Sequence, residues 1–82
     1  MDDDLTALLD EVRAEVARAE AKHPPMNSAH EGYAVLLEEV DELWEEVRRQ
    51  TGDRSGEAMR AECVQIAAMA VRFVRDVCDG RR

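Results

Sequence analysis

Leu5, Leu8, Leu9, Val12, Val16 and Ala19 recur at steps of three and four, the interval that stacks side chains along one face of an α-helix. The pattern predicts a first helix over about residues 4–22. Acidic Asp2 to Asp4 suit its positive N-terminal end, Lys22 suits the other end, and Pro24-Pro25 bars continuation. Tyr33, Leu36, Leu37, Val40, Leu43, Trp44 and Val47 repeat the same spacing and predict a second helix over about residues 29–50, with this face as core. Ser28 followed three residues later by Glu31 has the spacing of a capping box. Gly52 suits the left-handed conformation that ends many helices. The stretch from Thr51 to Gly56 reads as a loop in which Ser55 or Asp53 caps a third helix over about residues 56–78, ended by Gly80 and Arg81-Arg82. No segment alternates as a strand would. The chain is therefore expected to be one all-α domain spanning residues 1–82.

The third helix departs from the amphipathic rule. From Cys63 to Val71 every residue except Gln65 is apolar. A chain this short buries only about 60% of its unfolded surface and is marginal alone. A three-helix monomer is expected to cover one side of such a helix, and a second chain the other. The expected architecture is a three-helix chain that forms a helical bundle through homo-oligomerisation, as a homodimer or homotetramer. The alternative is a central helix within a monomer.

Charge narrows the function. Nineteen acids against eleven Lys and Arg give a net charge of −8, and residues 31–47 hold seven of those acids and no base. Such a chain is a poor reader of nucleic-acid polymers, whose phosphates it would repel. No run of about 18 apolar residues predicts a membrane span. The start Met-Asp-Asp-Asp is unlike a basic, apolar leader, and two cysteines are too few for a disulfide scaffold, so a cytoplasmic setting is expected. Cys63 and Cys78, about 22 Å apart on one helix, are expected to be ordinary buried thiols.

The acidic segment carries the candidate chemistry. Glu39 and Glu42, three residues apart, share a helix face on successive turns and repel unless a cation intervenes. Glu62 and Gln65 offer a matching pair of oxygen donors from a facing helix. Oxygen donors select a hard cation, Mg²⁺ or Mn²⁺, over zinc. The plain alternative is a solvated acidic face, but no base at i+4 relieves these carboxylates. Glu38, beside the cluster, is a candidate to orient or deprotonate a water. Arg72, two turns beyond Gln65, shares its face and could offset phosphate charge, as could Arg75 less directly. Trp44, Tyr33 and Phe73 are the aromatics on which a base could stack, although core packing is the commoner use of Trp44 and Phe73. Asn27 and His23 in the connector could read base edges.

The order Glu38-Glu39-Val40-Asp41-Glu42, followed twenty residues after Glu42 by Glu62-Cys63-Val64-Gln65, resembles the MazG-like all-α nucleoside triphosphate pyrophosphohydrolases, whose signature is EExxE then ExxD on two helices. The stretch from His30 to Val47 is similar to the small phage-type and bacterial members, and the resemblance covers Pro25 to Val77. It implies an all-α NTP pyrophosphatase-like fold and a Mg²⁺-dependent cut between the α and β phosphates of a (deoxy)nucleoside triphosphate, giving a monophosphate and pyrophosphate. By that pattern Glu39, Glu42 and Glu62 are metal ligands, and Gln65 stands where the family has Asp. An amide oxygen can ligate Mg²⁺ but brings no charge, so weaker metal binding or a single metal is implied. The rival expectation, fed by Gln65, is a non-catalytic acidic helical dimer that docks a basic partner protein.

Overall fold

The computed structural model describes residues 3–53 and 55–80. It contains helix α1 (Asp3–Lys22), helix α2 (Ala29–Val47), a 3₁₀ turn (Thr51–Asp53), helix α3 (Gly56–Phe73) and a π-helical turn (Val74–Cys78) that continues α3. The described residues contain no strand, so the domain is all-α. Asp2 and Arg81-Arg82, which the sequence assigned to helix ends, lie outside the described residues.

The helix starts follow local chemistry. Asp3 and Asp4 occupy the first turn of α1, Lys22 its last, and the chain leaves before Pro24. Ser28 caps α2 from an extended backbone, its Oγ accepting from Glu31 N at 3.0 Å. The Glu31 carboxylate reaches back past Ser28 and accepts from Asn27 N and Nδ2, both at 3.3 Å. Ser55, not Asp53, caps α3, with its Oγ accepting from Ala58 N at 3.0 Å.

The end of α2 differs from expectation. It stops at Val47, three residues early, and Arg48 closes it in right-handed backbone with its N–H on Trp44 O at 2.9 Å. Glu45 and Glu46 in the last turn are paired with Arg48 and Arg49 just beyond it, at 3.2 and 3.3 Å. Gly52 does not terminate the helix in left-handed form. It lies in the 3₁₀ turn, and the glycine with positive φ is Gly80, at 71°.

Three long-range contacts set the topology. Glu11 pairs with Arg60 and Glu20 with Arg75, so α1 and α3 run parallel. Met26 N donates to Asp76 Oδ2 at 3.0 Å, which joins the start of α2 to the end of α3 and makes those helices antiparallel. Both α1 and α2 pack against α3. The principal extents of 43 × 33 × 20 Å describe a flattened layer with α3 in the middle.

This arrangement corrects the expectation that the chain covers one side of α3, since α1 and α2 cover two. Val16, Ala19, Met26, Ala68 and Met69 form the buried core, with Val35, Leu36, Phe73 and Val77 packed on it. Full burial of a Val or Met side chain in this core contributes about 1.5–3 kcal/mol. The apolar stripe of α2 divides: Leu36 packs inward, whereas Tyr33, Leu37, Val40 and Trp44 remain exposed. Cys63 and Cys78 are also exposed rather than buried. Among the described residues no helix is long and apolar enough to cross a membrane.

Candidate metal centre

The antiparallel contact of α2 and α3 begins at a tight approach. A Cβ on Gly32 would lie 2.6 Å from Phe73 Cδ2 and 3.2 Å from Met26 Sδ, so only glycine lets α2 come this close. Two to three turns further along α2 the same seam brings Glu39 and Glu42 to Glu62. One carboxylate oxygen from each lies within 4.8 Å of the other two. Glu39 and Glu62 are half-buried and Glu42 is exposed.

Glu39 and Glu62 are perturbed by their surroundings. Glu39 is held above the usual carboxylate range, first by desolvation and then by the charges of Glu42 and Glu62. Glu62 is raised by desolvation and by Glu42 and Glu46. The three oxygens lie no more than 4.8 Å apart, against roughly 4.2 Å between opposite oxygens around Mg²⁺. The donor type fits a hard divalent cation, and the three oxygens are close enough together to share one ion. Neither His23 nor His30 joins the group.

Beside the trio is a depression of about 400 Å³ whose lining includes Glu38, Glu39, Gln65 and Arg72. Gln65 hydrogen-bonds Glu15, itself held below the usual carboxylate range chiefly by Arg18. Glu38 is exposed at the rim.

The candidate nucleotide contacts are dispersed. Arg72 lines the depression but is 4% exposed, its Nη2 donating to Pro24 O at 3.1 Å and its Nη1 to Met69 Sδ at 3.6 Å. Asp76 Oδ2 lies 3.9 Å from it. Two of its nitrogens are thus spent on the chain's own connector and core. Arg72 Nε is buried with no hydrogen-bond partner among the described residues. Arg75 is paired with Glu20 on α1. Trp44 is 57% exposed and projects about 160° around α2 from Glu42, away from the acids. Asn27 is engaged with Glu31 at the α2 cap, and Phe73 packs on the core.

Asp76 is the residue that the sequence did not single out. It is fully buried and fixes the connector through Met26 N. Its one sequence signal is the i,i+4 spacing from Arg72. Comparison with protein-family models, curated proteins and solved structures gives no match for the chain.

Proposed function

We propose that the chain is a divalent-cation-dependent nucleoside triphosphate pyrophosphohydrolase that works as a homo-oligomer and produces a monophosphate and pyrophosphate. The observation that carries the proposal is the convergence of Glu39, Glu42 and Glu62 from two helices. An acidic chain attracts a polyphosphate only through cations, and this trio is where they would be held. When bound, Mg²⁺ or Mn²⁺ neutralises phosphate charge and makes the phosphorus more electrophilic.

The chain's own groups supply the remainder. Glu38, which lines the depression with Glu39, is the group proposed to take a proton from the attacking water. Gln65 contributes an uncharged amide to the same wall. A hollow of about 400 Å³ falls in the size range of small-ligand sites. Arg72 acts by holding Pro24, and through it the connector that forms part of that wall.

The test is pyrophosphate release from a panel of ribo- and deoxyribonucleoside triphosphates with Mg²⁺ or Mn²⁺. Activity with at least one triphosphate, lost in Glu39→Gln and Glu62→Gln, is expected. An unchanged rate in either variant removes that residue from the site. The second reading, a non-catalytic module that docks a basic partner, is favoured by one observation: Gln65 is uncharged and turned to Glu15. No pyrophosphate release and no metal-dependent rise in Tm would select it.

A further inference from the structure

A nucleoside triphosphate carries more negative charge than a single divalent cation neutralises, and basic side chains commonly take up the remainder. The depression beside Glu39 is lined by two guanidinium groups, Arg18 of α1 and Arg72 of α3. Arg72 is committed to the chain itself, buried with Nη2 on Pro24 O and Nη1 on Met69 Sδ. Arg60 and Arg75 clamp α1 to α3, and neither lines this depression. Arg18 is the one that faces solvent there, its side chain 55% exposed.

A run of contacts that ends on α3 holds Arg18 in place. Its Nε donates to Glu15 Oε1 at 3.0 Å and its Nη2 to Glu15 Oε2, the forked pairing in which a carboxylate fixes the plane of a guanidinium. Glu15 is the anchored member. Its side chain is only 14% exposed, and it also accepts a hydrogen bond from the Gln65 amide. Gln65 lies three residues, about 4.5 Å, along α3 from Glu62. The guanidinium is therefore tied within about one turn of the acidic trio, on the wall that α1 contributes to the depression. Arg18 Nη1 is left without a partner among the described residues.

We infer that Arg18 is a substrate-binding residue: its unpaired guanidinium edge meets the phosphates of a nucleoside triphosphate that the cation leaves uncompensated, and Glu15 and Gln65 position it. The inference rests on the reading of Glu39, Glu42 and Glu62 as a cation-dependent triphosphate site. It also accounts for the amide at position 65. An Asp there would set a second carboxylate against Glu15 and repel it, whereas Gln65 donates to Glu15 and keeps the Arg18 fork in place. The chain forgoes one charge at the metal and gains an oriented cation across the depression.

Isothermal titration calorimetry separates the two claims. The probes are Mg²⁺ alone and then, in saturating Mg²⁺, inorganic triphosphate and α,β-methylene nucleoside triphosphates, which cannot be cut at the α–β bond. Arg18→Ala is expected to bind Mg²⁺ as the wild type does and to lose about tenfold in affinity for both phosphate probes, the scale of one charge-assisted contact. Arg18→Lys, which keeps the charge without the fork, should fall between the two. Arg13→Ala removes the same charge from a different groove on α1 and should change neither affinity. Helix content by circular dichroism accompanies each variant. A nucleotide analogue is expected to bind more tightly than the inorganic chain, and the reverse order overturns a nucleotide as the source of the phosphates. Arg18→Ala protein that binds both probes within about twofold of wild type overturns the role of Arg18 and leaves the cation site standing, as does an equal loss in Arg13→Ala. Wild-type protein that binds neither Mg²⁺ nor, in its presence, either phosphate probe overturns the triphosphate reading itself and the role of Arg18 with it.

Discussion

Replacing Glu62 by Gln should stabilise the metal-free protein while weakening its response to metal. The amide keeps the size of the side chain and removes its charge. At the 4.8 Å limit of their separation two unit charges repel by about 0.9 kcal/mol in a water-like dielectric, and salt near 0.15 M removes about half of that. Low-dielectric values do not apply, because Glu42 is exposed and its neighbours are only half-buried. Glu62 faces both Glu39 and Glu42 in the trio, so its neutralisation relieves about 1 kcal/mol. For a chain of this size that corresponds to a rise in Tm of about 4–8 °C. Cation binding reverses the order: at about ten times the dissociation constant the wild type gains about 1.4 kcal/mol, and the variant, short of one carboxylate, gains less. The assay is thermal unfolding followed by circular dichroism, in chelator and in several millimolar Mg²⁺. A metal-free Tm for Glu62→Gln at or below the wild-type value would refute the claim that these acids strain the fold.

Desolvation, together with the same repulsion, sets a pH dependence. Glu39 and Glu62 have pKa values raised in the folded state, so their stabilising contribution is fully present below the ordinary carboxylate pKa and is lost as pH rises through the folded values. The Tm advantage of Glu62→Gln should therefore be largest near neutral pH and shrink as pH falls toward 4.5. Gly32→Ala should cost about 1 kcal/mol in urea unfolding: its Cβ meets the Phe73 ring at 2.6 Å, an overpacking of about 1–3 kcal/mol against a helix-propensity gain of about 1 kcal/mol. Asp76→Ala should cost about 3 kcal/mol in the same measurement, since it leaves the buried Arg72 without its carboxylate and Met26 N without its acceptor.

Features written in a few neighbouring residues were legible in the sequence. Ser28, Ser55 and Pro24 mark helix boundaries because capping and ring sterics act within one turn. The spacing of Glu39 and Glu42 follows from helix geometry, and Glu62 joins them because α2 and α3 run antiparallel. Long-range packing hid the remainder. Met69 and Val71 look alike in the apolar run, but Met69 is 5% exposed in the chain's own core and Val71 is 40% exposed. A charge introduced at Met69 would therefore damage the fold itself rather than report on a partner. Trp44 and Leu36 share one stripe, and only the position of α3 determines which turns inward. Arg72 reads as a phosphate ligand until Pro24 O, 48 residues earlier, occupies its Nη2.

The glycine contact gives the paired helices unequal ends. Near Gly32 their separation is fixed by atoms already touching, whereas at the acids it is governed by charges that push outward. The pair thus resembles a clothes-peg, rigid at the spring and adjustable at the jaws. Fine changes in grip can occur at the carboxylates without disturbing the core that anchors them.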